Sequence, residues 1–204
     1  MTAEISGENL LRSRHSVRRF RAQPVPQTIL ESLLVTACQA PSAHNRQPWR
    51  FAVITNSGIR SNLASQMGSV FYSVMQSDGI PADEIAARLQ KSKIRLESAP
   101  CAIVLCVDYS DMDVYSDPDR RGMEQLMAEQ SVAMAGGTLL LAAHAEGLGG
   151  VWLCAPLFAS AVAKRELNLP ETWEPRALLL LGYPDENPPA RLRKPLAEVA
   201  RFYP

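Results

Sequence analysis

The stretch "EQLMAEQSVAMAGGTLLLAAHAEG", Glu124 to Gly147, constrains this chain more than any other. Its periodicity is helical, and beyond Ser131 it is apolar on nearly all sides. A helix with so little polar surface is buried, either inside one subunit or between two. Gly136 and Gly137 would let another backbone approach it closely. The remaining elements have to cover it. "CAIVLCVD" at 101–108 is a continuous apolar run, as expected of a strand with both faces covered. "WRFAVIT" is strand-like in its β-branched and aromatic content, and "GVWLC" and "RALLLLGYP" read as two further strands. Helices are predicted over Glu8–Arg14, from Pro26-Gln27 to a stop before Pro41, and over 58–76 and 81–98 either side of the turn "SDGIPAD". Strands alternating with helices give a layered α+β domain.

At 204 residues the chain can build one core that buries roughly 70% of its unfolded surface, so 1–204 is expected to be a single domain. Lys+Arg and Asp+Glu balance at 21 each, which argues against nucleic acid or a membrane surface as partner. The apolar runs "TLLLAA" and "ALLLLG" fall short of the ~20 residues that span a bilayer. No charged-then-apolar leader opens the chain, and a cytoplasmic location is expected. Cys38, Cys101, Cys106 and Cys154 lie far apart without a Cys-x-x-Cys, as free thiols, mostly buried, in a reducing compartment would.

Familiar motifs are missing. "GLGG" at 147–150 follows a helix and precedes a strand, the reverse of a dinucleotide fingerprint. There is no P-loop, no H-E-x-x-H, no metal-ligand cluster and no G-x-S-x-G. Three polar stretches stand out instead. "SRHSVRRF" gathers Arg14, His15 and Arg18 around Ser16, and "RLRK" supplies Arg191 and Arg193. Guanidinium groups bind phosphate through paired, charge-assisted hydrogen bonds. Arg14 and Arg18, four apart, and Arg191 and Arg193, two apart, could each turn to one anion; a solvated basic surface is the alternative. In "PSAHNRQPW", Ser42, Asn45 and Gln47 alternate between two prolines. Amide groups that both donate and accept suit an aromatic ring bearing carbonyls and ring nitrogens. A helix-ending turn with ordinary caps is the alternative there. On the 81–98 helix, Arg88, Lys91, Lys93 and Arg95 form a basic stretch, either a solvated face or a grip on an anionic substrate. The proline-rich segment after 187 is of a kind that can wrap a neighbouring subunit.

"SRHSVRRF", "APSAHNRQPWRF", "AEGLGGVW" and "LGYPDENPPARLRKPLAEV" occur in the order and spacing of the FMN-dependent nitroreductase superfamily, a resemblance running from about residue 8 to 200. It implies a three-layer α/β/α sandwich, an intertwined homodimer, and FMN at the subunit interface. Arg14, His15, Ser16 and Arg18 match the segment at the FMN phosphate and ribityl chain. Ser42, Asn45 and Gln47 match a second segment, which reaches the isoalloxazine of its own or the partner's flavin. Arg191 and Arg193 match C-terminal phosphate ligands. Cys154, Ala155 and Leu157 match the loop whose backbone amides face the flavin's reactive nitrogen; Pro156 has no N–H to offer, so Ala155 or Leu157 is the expected donor. The family builds a lid over the flavin in the region corresponding to 58–98, which places Lys91 and Arg95 as candidate substrate contacts. The flavin carries the chemistry, with no catalytic side chain and no metal, and NADH or NADPH is the implied electron donor. A finer resemblance, over residues 119–184, is to the flavin domain of the bacterial enzyme that completes the deazaflavin coenzyme F-420. A general NAD(P)H-dependent nitro- or quinone reductase and a non-catalytic flavin carrier or sensor are the alternatives.

Overall fold

In the computed structural model, which describes residues 7–189 and 191–203, the layers are set by side-chain alternation along β2 (Cys101–Asp108), every residue of which is buried. Ala102, Val104 and Cys106 point to one face of the sheet, and Cys101, Ile103, Leu105 and Val107 to the other. The sheet has four strands in the order β1-β2-β4-β3, with β1 Trp49–Ile54, β3 Gly149–Leu153 and β4 Trp173–Gly182. All three pairings are antiparallel. Helices cover both faces, so β2 and β4 show unbroken apolar runs although no strand is parallel. Leu178 through Leu181 are all buried, each contributing about 1.5–3 kcal/mol.

On the first face lie α3 (Ser57–Ser77), α4 (Ala82–Ser98) and two short helices the sequence pattern did not predict, α6 (Ala155–Phe158) and α7 (Ser160–Glu166). Leu63, Met67, Leu96 and Ala163 pack there against Val104 and Leu178. The second face carries α2 (Gln27–Ala37) and α5 (Pro118–Ala145). Leu30 and Leu33 meet Leu139, Ala143 and Leu179 there. Two more helices, α1 (Gly7–Ser13) and α8 (Leu196–Val199), bury no residue. The result is the three-layer arrangement expected.

α5 departs from expectation in three ways. It begins six residues earlier than its apolar pattern, because the Asp117 carboxylate accepts the N–H groups of Asp119 at 2.8 Å and Arg120 at 3.1 Å and Pro118 opens the first turn. Burial follows a single stripe, Ala128, Val132, Ala135, Leu139 and Ala143, leaving Leu126 and Met134 exposed. α5 is long and apolar enough to cross a membrane by length and composition, yet that stripe lies on the sheet and α2. Gly136, moreover, admits side chains and not a backbone: a Cβ there would stand 2.3 Å from Trp152 Cζ3 and 2.7 Å from Leu105 Cδ2. The thiols also divide. Cys101 and Cys106 are buried, whereas Cys38 and Cys154 are exposed.

Candidate anion-binding site

The first basic stretch is held against the edge of the sheet. Ser16 bridges to Gly150 of β3 in parallel fashion, and the Val17 N–H donates to the Gly150 carbonyl at 3.0 Å. Only glycine permits this approach, since a Cβ on Gly149 would lie 2.7 Å from that of Val17. Arg19 and Arg21 then pair with the chain leaving β4: Asp185 N–H donates to the Arg19 carbonyl at 3.0 Å, and Arg21 N–H to the Tyr183 carbonyl at 2.9 Å. Val17 and Phe20 are buried, so the intervening Arg18 and Arg19 face solvent. Glu186 closes the arrangement. Its carboxylate accepts from Arg18 N–H and Arg19 N–H and pairs with the Arg19 guanidinium at 3.2 Å. The Arg18 N–H bond is the main cause that holds this carboxyl below its ordinary range.

These contacts bring both ends of the chain to one cavity of about 640 Å³, lined by Arg14, His15, Ser16 and Arg18 on one side and by Arg191 and Arg193 on the other. Three arginines elsewhere are paired with carboxylates: Arg46 with Asp113, Arg50 with Asp108, Arg176 with Glu129. Among the described residues Arg14, Arg18, Arg191 and Arg193 have no carboxylate within ion-pair distance. Four unneutralised guanidinium groups around one hollow are suited to a multiply charged anion.

A second cavity of about 550 Å³ shares Arg14, His15 and Asn187 with the first and adds Arg21 and His144. Ser13 links the two histidines. Its carbonyl accepts from His15 Nδ1 at 2.9 Å, and its hydroxyl is hydrogen-bonded to His144 Nε2 at 2.8 Å. The two rings stand 6.4 Å apart. Burial, and then the charges of His15 and Arg14, hold His144 below the usual histidine range. Ser13 and Glu186 fall inside two of the quoted stretches and His144 just before a third, but the sequence reading gave none of the three a role. Only the "GLGG" after His144 and the "DENPP" after the last strand hint that they lie near the basic stretch.

The "PSAHNRQPW" loop is elsewhere. Its Ala43 N–H donates to Ser131 Oγ in mid-α5 at 3.1 Å, and Ser131 precedes His144 by thirteen residues, about 20 Å of helix. The loop is strained: His44, Asn45 and Gln47 all have positive φ, at 51°, 54° and 50°. Ser42 Oγ accepts the Gln47 N–H at 3.1 Å, and Gln47 Nε2 donates to Asn45 Oδ1 at 3.2 Å. The amides of Asn45 and Gln47 are thus fixed together on an exposed knuckle, while Pro48 and Trp49 are buried beneath. Three left-handed non-glycine residues in four positions are of the kind kept at binding sites.

At the third stretch, Leu157 N–H donates to the Cys154 carbonyl at 3.0 Å, which removes Leu157 from the two expected donors. Ala155 opens α6 and its N–H has no intrahelical acceptor. Lys91 and Arg95 line none of the cavities described; Lys93 between them lines a groove of about 490 Å³ between α3 and α4, with Gln90 and Tyr72.

A mixed helix–sheet sandwich with an arginine-lined hollow at one sheet edge defines the class, an α+β protein with a candidate anion-binding site. Residues 11–183 match the Nitroreductase family model, and the chain belongs to that family. It is 29% identical over 91% of its length to the NADH dehydrogenase of Thermus thermophilus, of which it covers 90%. It resembles the crystal structure of nitroreductase A from Vibrio parahaemolyticus with a TM-score of 0.76 at 25% identity, over 98% of this chain and 77% of that one. The NADPH:FMN oxidoreductase of Vibrio harveyi, solved with NAD+, shares the fold with a TM-score of 0.71 at 22% identity, over 96% of this chain and 76% of that one.

Proposed function

We propose that this protein is an FMN-dependent oxidoreductase with NADH or NADPH as electron donor, and that Arg14, Arg18, Arg191 and Arg193 hold the FMN phosphate. The observation that carries the reading is the convergence of those four unpaired arginines on one cavity. His15 and Ser16 would reach the phosphate and ribityl chain. When bound, the flavin accepts hydride from the nicotinamide and passes it to an electron-poor acceptor. The chain's own part is to orient and tune it. Ala155 N–H is the donor toward the reactive nitrogen, with Cys154 beside it. Ser42, Asn45 and Gln47 supply amide and hydroxyl contacts to the ring, and the donors among them stabilise the charge that reduced flavin accumulates. No side chain is required as acid or base.

The working unit in this reading is a homodimer, each chain being one FMN-binding domain with 58–98 as its lid. Support comes from the distance along α5 that separates the Ser42–Gln47 knuckle from the arginine cavity, which a second copy would bridge. Leu126 and Met134 on the outer face of α5, and Leu192, Phe202 and Tyr203 on the tail, are exposed and await such cover.

A dehydro precursor of coenzyme F-420 is the finer substrate reading, supported by the resemblance of the C-terminal half and by the basic residues Lys91, Lys93 and Arg95 of the lid. A general nitro- or quinone reductase is the other reading, and relatives' names support its nitroreductase half. The purified protein is expected to be yellow and to bleach rapidly on anaerobic mixing with NADH or NADPH. A colourless protein that takes up no FMN overturns the reading; a yellow one that does not bleach is a carrier. Turnover of the dehydro-coenzyme against nitrofurazone separates the two substrates.

A further inference from the structure

We propose that binding of the phosphate-ended cofactor is coupled to uptake of one proton by His15, and that His144 is the positioning residue that secures this. The inference rests on the placement of the FMN phosphate given above. A carbonyl oxygen only accepts, so His15 Nδ1, 2.9 Å from the Ser13 carbonyl, carries a hydrogen. A neutral imidazole has only one N–H, and that one is committed. Nε2 then presents a lone pair. A phosphate dianion also presents lone pairs, and the two repel until Nε2 gains a proton from solvent.

His144 decides which ring takes it. Both histidines are tied to Ser13, one through its carbonyl and the other through its hydroxyl. Charging both would set two cations with ring centres 6.4 Å apart beside Arg14. The other charged groups around the pair are Arg21, Asp185 and Glu186 on the second cavity wall, Arg18, Arg191 and Arg193 around the first, whose charge the bound phosphate offsets, and Arg12 at the end of α1. Glu186 is engaged with Arg18 and Arg19, and Arg12 with Glu8. Burial, and then the charges of His15 and Arg14, disfavour the His144 cation. His144 remains neutral, keeps Ser13 in place, and so keeps His15 Nδ1 occupied while Nε2 charges.

The experiment titrates FMN into apoprotein about one pH unit above the ordinary histidine value, in two buffers of different ionisation enthalpy. The wild-type heat is expected to differ between buffers by close to one proton's worth, and FMN affinity to fall by up to about tenfold per pH unit above neutrality. Riboflavin, without a phosphate, and His15→Gln with FMN are expected to show almost no buffer dependence. His144→Leu is expected to weaken FMN binding about fivefold, with His144→Gln restoring most of it through a new bond to Ser13. Nitrogen NMR of the wild-type histidines reads the site without substitution: His15 becomes an imidazolium on FMN addition and His144 does not. Wild-type FMN binding with buffer-independent heat, or a protonated His144, overturns the coupling. A protein that binds no FMN at all overturns the placement of the cofactor instead.

Discussion

The Glu186 carboxylate accepts the backbone N–H of Arg18 at 2.5 Å, and through that bond the exit of β4 holds the first basic stretch in position. Arg18 and Glu186 are 168 residues apart in sequence.

Removing that staple is expected to cost stability. Glu186→Ala leaves the Arg18 and Arg19 amides without their acceptor, a loss of about 1–3 kcal/mol in denaturant titration, with Glu186→Gln intermediate. The carboxyl is held below its ordinary value of 4.5, so its contribution is complete above that pH and disappears as pH falls through the lowered folded value. Acid titration of stability in wild type and Glu186→Gln should diverge above 4.5 and converge below it. Parallel curves throughout would remove Glu186 from this role.

Arginine deletions are expected to act on cofactor retention and not on the fold. Arg193→Ala or Arg14→Ala removes one unpaired guanidinium, each loss weakening FMN binding by about 10–100-fold, with Tm unchanged in the apoprotein. Fluorescence titration of FMN measures the first and calorimetry the second.

Two glycines of α5 should respond in opposite ways. Gly136→Ala drives a methyl into the Trp152 ring and Leu105, costing about 1–3 kcal/mol despite alanine's better helix propensity. Gly122→Ala meets nothing within 4 Å and should gain up to about 1 kcal/mol. Thermal unfolding of the pair decides it.

The strained knuckle offers a further test. His44 holds φ at 51° with an exposed side chain that makes no hydrogen bond among the described residues. His44→Gly should therefore stabilise by about 1 kcal/mol. Gln47→Gly relieves similar strain but removes an amide, and is expected to lower flavin affinity; equal behaviour of both variants would mean that Gln47 does not touch the cofactor.

Thiol labelling follows the burial pattern. Burial pushes Cys101 and Cys106 up to about 12, so near neutral pH a maleimide is expected to modify Cys38 and Cys154 alone. Mass spectrometry should show two adducts on the native protein and four after denaturation. Bound FMN should slow Cys154.

Much of this architecture is visible in the residue pattern. "CAIVLCVD" and "RALLLLG" declare buried strands because both sheet faces are covered, and α3 and α4 end within a residue or two of the turn that separates them. What pattern does not carry is which elements become neighbours. Nothing local to "SRHSVRRF" says that it will lie on Gly149 and Gly150, or that Ser13 will reach a histidine 131 residues away. The early start of α5 was legible in Asp117-Pro118, but its apolar periodicity begins later and drew the boundary inward. Pairing of the exposed α5 face and tail is beyond the reach of composition, since an apolar face looks the same whichever surface covers it.

That Arg14 and Arg193 share one hollow also sets the order of events during synthesis. In the proposed reading Arg191 and Arg193 must leave the ribosome before the second half of the grip exists, so a nascent chain short of them would hold flavin more weakly. In the proposed reading, retention of flavin would report that the segment carrying Arg191 and Arg193 has found its place beside Arg14.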